Sequence, residues 1–522
     1  MIEPASGGEG VFVRRFWLFV VLVLVIGAEL RFLGLGDRSL WFDEAFSLSV
    51  AKVPFPALID FVRKNDPHPP LYYALLGAWI RLFGSSEVTA RSLSALISVV
   101  TVLLLYGFAR RLVSREVALA ATVLLAGSAF AVRAGQEVRM YPLLGLLALG
   151  SWYAMVLAIQ ERRGRFWALY VPITALMLYT HFFGFLVLGF QLLYLLPRWR
   201  SDRRTVAAAA IAVGIVLALF IPWVPVIMAL VRRGAGWPTF RPPADLRQAL
   251  DLLGLFGFGG ELLGMGGYFH TGGLVMWAAA IMVAPVVGLV GAGLYALRGG
   301  RAWLLFCFWA APIAAALVIS QRYNVFYPRY FSFLAPPFAL LVAAGLDLVA
   351  RGVPRLSRAV VVSSLLVVAL AVNAPVAYGY VWENKKDYNW RGAARLVTLN
   401  AGRNDYLLFV PAFAQVPFEY YYKGKQDRLQ LNPVEIFDMA RLSRPAAPKV
   451  DKVWARRLAE AHPHVWLIVT IPIPDNAWLR LNDLLGGSFT VAGTHNFGSV
   501  YVYVLTSRLR QTPGEGPGRD SP

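Results

Sequence analysis

Two adjacent carboxylates carry the first chemistry in this chain. They stand in Leu40-Trp41-Phe42-Asp43-Glu44-Ala45-Phe46-Ser47, directly after two aromatic residues. A carboxylate such as Asp43 can draw the proton from a hydroxyl as that oxygen forms a new bond, with Glu44 sharing or tuning the role. Adjacent acids also cap surface helices, and spacing alone leaves both readings open. A second polar group follows in Asp66-Pro67-His68-Pro69-Pro70-Leu71-Tyr72-Tyr73. Its prolines stop one element and start the next. His68 can orient a substrate or a carboxylate, or it is simply a polar residue in a rigid turn. Glu87 and Arg91 have the i,i+4 spacing of a helical ion pair.

The next cluster is denser. Arg133-Ala134-Gly135-Gln136-Glu137-Val138-Arg139-Met140-Tyr141-Pro142 compresses two arginines, a glutamine and a carboxylate between two apolar runs. Polar groups at membrane depth are costly, and a function or a mutual pair is the usual reason for them. A structural Glu137–Arg139 pair is the alternative. His181 ends an apolar run in Tyr179-Thr180-His181-Phe182-Phe183. Further on, Gln321-Arg322-Tyr323-Asn324-Val325-Phe326-Tyr327-Pro328-Arg329-Tyr330 holds two arginines and three tyrosines. Guanidinium forks bind phosphate bidentately, and tyrosine suits a membrane interface. The cluster reads as a site for a lipid-linked phosphate, against an aromatic belt with snorkelling arginines. The stretch 232–272 is rich in glycine and aromatics (Trp237, Phe240, Phe256, Phe258, Tyr268, Phe269). It fits a cover over a lipid groove. Its ionisable groups, among them Asp245, Glu261 and His270, receive no catalytic role.

These residues need elements to hold them, and composition says which. Of 522 residues, 58% are hydrophobic and 15% charged. Soluble domains carry roughly 45–50% apolar and about 25% charged residues, so one soluble core is excluded. Apolar runs of membrane-crossing length lie near 16–33, 92–110, 116–132, 140–159, 166–181, 182–197, 206–231, 273–297, 303–320, 331–350 and 359–378, eleven in all. The first is not a cleaved signal, because Glu29 and Arg31 stand where small residues would be needed. Cys307 is the single cysteine, so no disulfide forms within the chain.

The net charge of +20 raises nucleic acid as a partner. Position answers it. Leu71–Phe83 has 13 residues, about 20 Å of helix against a bilayer core of about 30 Å. With that segment lying on the membrane surface, alternate loops carry seventeen arginines on one side: 14, 15, 110, 111, 115, 162, 163, 165, 198, 200, 203, 204, 298, 301, 351, 355 and 358. That bias marks the cytoplasm. Leu71–Phe83 is then an interfacial helix on the outer face. The stretches 34–91, 133–139, 232–272, 321–330 and everything past about 379 lie outside. The partners are a lipid bilayer and its lipids, and not nucleic acid.

The tail changes character. Asn384, Lys385, Lys386, Asp387 and Asn389 open a polar region. Strand-like runs follow at Tyr406–Val410, Val465–Ile471, Phe489–Val491 and Val500–Leu505, with helical patterns near 390–400, 434–443, 452–461 and 477–485. The expected organisation is a polytopic α-helical membrane domain over 1–378, an extracytoplasmic α/β domain over 379–508, and a disordered tail over 509–522. Trp382, Tyr388, Trp390 and Arg391 are candidates to touch acceptor or lipid.

The order of these outer-face motifs resembles the GT-C superfamily of polytopic glycosyltransferases, glycosyltransferase family 39-like, which includes protein O-mannosyltransferases and the aminoarabinose transferases that modify lipid A. The matching pieces are Trp41-Phe42-Asp43-Glu44, His68-Pro69-Pro70-Leu71-Tyr72-Tyr73, Phe83-Gly84 through Arg91, Gln136-Glu137-Val138-Arg139-Met140-Tyr141, His181, and Arg329-Tyr330 with Pro336. They span about the first 340 residues. The resemblance implies transfer of a sugar, with inversion, from a polyprenyl monophosphate to an acceptor on the non-cytoplasmic face. It assigns the catalytic carboxylate to Asp43, with Glu44 beside it and Glu137 as the acid of the second outer loop. Arg329 would hold the donor phosphate, with Arg322, Arg139 and Tyr330 in support. His68, Tyr72, Gln136, Tyr141 and His181 are the substrate-binding candidates.

A lipid phosphate leaves readily, so no dedicated acid is demanded. No cofactor is required; a divalent cation is an option, although no ligand cluster demands one. The acceptor is a glycolipid, a cell-wall polymer or a protein, and the sugar a hexose or pentose. A transporter or lipid flippase is the competing class. It would place its site near the midplane, often between repeated halves, and no such halves are visible. The location expected is the cell membrane, with the active site and C-terminal domain outside the cytoplasm.

Overall fold

The computed structural model describes residues 18, 21–22, 24–66, 68–232, 244–260, 273–323, 325–353, 358–379, 388–430, 450–470 and 475–510. The expectations for Trp237, Phe240, Glu261, Tyr268, Phe269, His270, Trp382, the polar opening Asn384–Asp387, the helical pattern near 434–443, the tail 511–522 and the start of the first span lie outside the described residues.

The chain divides into two compact units, Met1–Leu35 with Ala51–Trp382, and Gly36–Val50 with Glu383–Pro522. The sequence reading placed 36–50 with the membrane helices. In the structure this short stretch groups with the tail.

The first unit is helical. It comprises α1 (24–32), α3 (Phe55–Asn65), α4 (Leu71–Phe83), α5 (Glu87–Ala109), α6 (Arg115–Gly127), α7 (Ala129–Gly135), α8 (Tyr141–Glu161), α9 (Gly164–Leu178), α10 (Phe183–Leu195), α11 (Arg203–Phe220), α12 (Val224–Arg232), α13 (Leu246–Phe258), α14 (Gly273–Leu297), α15 (Gly299–Leu305), α16 (Ala311–Ile319), α17 (Ala335–Arg351) and α18 (Arg358–Tyr378). α2 (Phe42–Ala51) falls almost wholly in the second unit. Among the described residues seven helical stretches are long and apolar enough to cross a membrane, and α6 with α7, bent by 58°, makes an eighth. The protein is a multi-pass membrane protein. α4, α9 and α10 are shorter apolar helices. Two of the eleven expected spans are shorter than the apolar runs implied, because the chain turns between Leu178 and Phe183.

Local chemistry sets several boundaries. Ser86 accepts from the Thr89 N–H and starts α5; Asp202 accepts from the Thr205 N–H and starts α11. Ser128 is both the C-cap of α6 and the N-cap of α7, where its side chain accepts from the Ala131 N–H. That double role is the bend between α6 and α7. Asn373 on α18 braces it, accepting from the Ala129 N–H and donating to the Gly257 carbonyl. A buried polar network ties α8, α9 and α10: Tyr170 donates to Gln191, Gln191 to Ser151, and Ser151 shares a hydrogen bond with Thr174. Such bonds fix helix register where apolar packing alone does not discriminate.

The second unit is an α/β domain. Its strands are β1 (Tyr406–Val410), β2 (Asp427–Gln430), β3 (His464–Thr470), β4 (Phe489–Asn496) and β5 (Val500–Ser507), in the order β2-β1-β3-β5-β4. β1 runs parallel to β2 and β3, and β5 runs antiparallel to β3 and β4. The period-two alternation divides the core cleanly. Leu407, Phe409, Trp466, Ile468, Val500 and Val502 face one layer, with α19 (Trp390–Asn400) and α20 (Gln415–Tyr421). Leu408, Val410, Val465, Leu467 and Leu505 face the other, with α21 (Lys452–Ala461) and α22 (Asp475–Leu485). β2 and α20 escaped the sequence reading. β2 is four residues long and reads Asp-Arg-Leu-Gln, without apolar alternation.

Candidate active site

The bend at Ser128 delivers α7 and the turn after it to one end of the helical unit. Gln136 is buried, and its amide donates to the carbonyls of Leu30 and Leu33 at the end of α1. It therefore ties the turn down. Glu137 is 5% exposed. One of its oxygens lies 3.6 Å from Arg133 Nε and the other 4.0 Å from Arg329 Nη1. Arg133 comes from α7 at i,i+4 spacing; Arg329 comes from a 3-10 turn, Pro328–Leu334, that leads into α17. Arg133, Glu137, Tyr141, Tyr327, Arg329 and Ser332 line a cavity of about 60 Å³.

Around this carboxylate sits a cluster of rings. The Arg139 guanidinium lies 5.5 Å from the Tyr141 ring centre, and that of Arg329 lies 5.5 Å from Tyr327. His181 packs edge-on against Tyr330 at 4.9 Å, and Tyr141 lies 6.0 Å from both His181 and Tyr330. His68 lies 5.5 Å from His181. Phe183 N–H donates to His181 Nδ1, so a neutral ring carries its proton on Nε2.

His68 is oriented in turn. Its Nδ1 and backbone N–H both reach Asp66 Oδ1 at 2.8 Å, and Tyr73 donates to Oδ2 at 2.6 Å. Burial pushes the Asp66 carboxyl up, but the His68 imidazole and the hydrogen bonds from His68 and Tyr73 outweigh it. They hold the group below its ordinary range. Tyr72 is fully buried and shares a hydrogen bond with Ser94, which donates to the Arg139 carbonyl. It braces the turn from behind.

The structure thus brings together Glu137, Arg329, Arg139, Tyr330, Tyr141, His181 and His68. It gives Gln136 and Tyr72 bracing contacts. Arg322 is exposed, with Tyr323 beside it, and does not line the cavity. Arg91 is buried and donates to the Leu35 carbonyl. The sequence marks Arg133 as one of the two arginines of its cluster without giving it a specific role, and assigns none to Asp66 or Ser332. The spacing of Arg133 and Glu137 was the available signal for their pairing. Asp251 was also passed over, and it is completely buried on α13. Among the described residues no group of three or more His, Cys, Asp or Glu side chains is placed to hold a metal ion.

Asp43 and Glu44 belong to the second unit. They occupy the first turn of α2, where carboxylates favour the positive end of the helix. Glu44 is buried and accepts from the Trp41 N–H at 3.4 Å, reaching back as half of a capping box. Asp43 is half-buried. The segment before α2 is pinned to α19 and α20. Leu40 N–H donates to the Tyr421 hydroxyl at 2.7 Å, Arg391 N–H to Ser39 and the Arg391 guanidinium to the Gly36 carbonyl. Phe42 packs on Phe413 at 5.2 Å.

Comparison with known proteins fits these elements. Residues 67–225 match the family model of dolichyl-phosphate-mannose-protein mannosyltransferases. A comparison with curated proteins returns no match. Among solved structures, apo ArnT from Cupriavidus metallidurans aligns with a TM-score of 0.63 at 15% identity, over 96% of this chain and 98% of that one. The same protein bound to undecaprenyl phosphate aligns at 0.59 and 15% identity, over 93% and 98%. The Archaeoglobus fulgidus oligosaccharyltransferase AglB, in complex with an inhibitory peptide and a dolichol-phosphate, aligns at 0.52 and 12% identity, over 96% and 75%. The chain has the polytopic fold of the GT-C glycosyltransferases, with a C-terminal sheet domain.

Proposed function

We propose that this protein is a membrane glycosyltransferase that moves a sugar from a polyprenyl-phosphate donor to a hydroxyl acceptor, with inversion, on the extracytoplasmic face of the cell membrane. The observation that carries the reading is the pairing of Glu137 with Arg133 and Arg329 in a ring-lined cavity. It occurs in a fold that, in ArnT, has been solved with undecaprenyl phosphate.

In this reading the acceptor oxygen attacks the anomeric carbon while Asp43 takes its proton. The bond between that carbon and the phosphate oxygen breaks, and the electron pair stays on the departing lipid phosphate. Arg329 and Arg139 stabilise the charge that develops there. Glu137 holds Arg329 in place before the donor arrives. His68, His181, Tyr141 and Tyr330 form the wall against which a sugar ring would pack. No general acid is needed, because a lipid phosphate is a competent leaving group.

The test is direct. Purified protein is incubated with polyprenyl-phosphate hexoses and pentoses and a panel of glycolipid, cell-wall and peptide acceptors. Release of polyprenyl phosphate coupled to glycosylation of one acceptor is expected. Absence of release across the panel, with donor movement between leaflets instead, would favour a flippase.

A further inference from the structure

α8 has Tyr141 at one end, in the cavity just described, and Ile159 and Gln160 at the other, roughly 30 Å away at 1.5 Å per residue. The far end opens on a second cavity, of about 290 Å³. Arg198, Arg298 and Arg301 line it, with Tyr194 and Gln160, and among the described residues no carboxylate does. The acids nearby in sequence make their ion pairs elsewhere, Glu161 with Arg111 and Arg165, and Asp202 with Arg162; Asp202 also accepts from Thr205 and feels the charge of Arg198 at longer range. Among the described residues none of the three arginines forms an ion pair.

Two of the three are also held ready. Arg198 donates to the Tyr194 hydroxyl at 3.0 Å and lies 4.5 Å from that ring's centre. Arg298 donates to the Tyr295 hydroxyl at 3.0 Å and lies 4.7 Å from that ring. A guanidinium has five N–H groups, so each keeps donors to spare. Arg298 also has φ of 48°, in the left-handed region that disfavours a side chain. Strain of this kind persists where surrounding structure imposes it, and it gathers at binding sites. A bare surface of helix C-termini would attract arginines too. It would not explain a cavity, two matched Tyr–Arg pairs and a strained arginine at one place.

We propose that this cavity binds the phosphate of an anionic membrane lipid. Basic pockets between membrane helices are suited to such head groups, and Arg forks match phosphate geometry. The site stands apart from the donor cavity and does not depend on the transfer reaction.

The test uses the full-length protein in phosphatidylcholine nanodiscs with rising phosphatidylglycerol, read by lipid retention in native mass spectrometry and by Tm. A saturable rise in Tm and retention of phosphatidylglycerol are expected. In Arg198→Gln/Arg298→Gln/Arg301→Gln, affinity should fall roughly 100-fold, from the contribution of each arginine at a membrane surface. A control variant, Arg163→Gln/Arg203→Gln/Arg204→Gln, removes equal charge from exposed positions and should behave as wild type. Inorganic phosphate in detergent separates the sources. Stabilisation by it, lost in the first variant only, supports the phosphate site with a soluble occupant. Equal lipid response in wild type and the first variant, or equal loss in both variants, overturns the proposal. Should the first variant fail to fold, Arg301→Gln alone, whose side chain makes no hydrogen bond among the described residues, gives the same reading at smaller amplitude.

Discussion

Arg329 and Glu137 face one another, with Nη1 4.0 Å from Oε2. That is longer than the 2.7–2.9 Å or so of a tight charge-assisted hydrogen bond. The pair is an electrostatic hold that a phosphate oxygen can replace. Arg329→Ala should therefore raise KM for the lipid donor roughly 10- to 100-fold, the scale of a lost hydrogen bond to a charged group. KM for the acceptor should change little. Arg329→Lys should recover only part of the loss, because a lysine lacks the planar fork. Steady-state kinetics with each substrate varied in turn check this. Unchanged donor KM would remove Arg329 from the phosphate site.

Asp43 and Glu44 are adjacent, but their surroundings differ. Glu44 is buried and caps α2 through the Trp41 N–H, whereas Asp43 is half-buried. Asp43→Asn should abolish transfer with normal expression and unchanged Tm. Glu44→Gln keeps an oxygen that can accept from Trp41, so it should retain most activity. Transfer at near wild-type rate in Asp43→Asn would sink the base assignment.

Much of the fold was legible because apolar runs of bilayer length have few other uses. α4, α19 and α21 fall on the residues that the sequence pattern marked. The turn at His181 was legible as the end of one span and the start of the next, but its extent was not, because Phe182 and Phe183 continue the apolar run; helix stops at Leu178 and resumes at Phe183, whose N–H donates to the His181 ring. The site was legible in its residue types and not in its wiring. Nothing local in Tyr421 or Arg391 announces a bond to a segment more than three hundred residues earlier. Asp66 stood in plain sight beside His68, but only the fold shows that Tyr73 completes its hydrogen bonding.

That long-range wiring makes its own prediction. The Tyr421 hydroxyl accepts from Leu40 N–H just ahead of Asp43. Tyr421→Phe removes that acceptor and should loosen the start of α2. A fall in kcat of roughly three- to tenfold is expected, the size of one ordinary hydrogen bond. Donor KM should stay near wild type. A loss of Tm with kcat intact would show that the bond serves stability alone.

Glu137 already has two guanidinium neighbours, which would repel a divalent cation from the same carboxylate. Transfer should persist after exhaustive chelation, measured with and without added magnesium or manganese. Activity that vanishes and returns with metal would place an ion in the mechanism.

Asp66 gives a pH signature. Its carboxyl lies below the ordinary range in the folded protein, since contacts with His68 and Tyr73 outweigh burial. A depressed folded pKa means that the unfolded chain binds the proton more readily. The stabilisation is fully present above the unfolded value near 3.9 and is lost as pH falls through the folded value. Thermal unfolding followed from neutral pH to about pH 3 should show a decline in Tm that Asp66→Asn reduces. The variant should also start from a lower Tm at neutral pH, because the amide offers one acceptor where the carboxylate serves both His68 and Tyr73. An acid decline of equal slope in wild type and variant would show that Asp66 is not the group responsible. The same variant should lower kcat if His68 is held for the substrate by this carboxylate, and an unaltered kcat would confine Asp66 to a structural role.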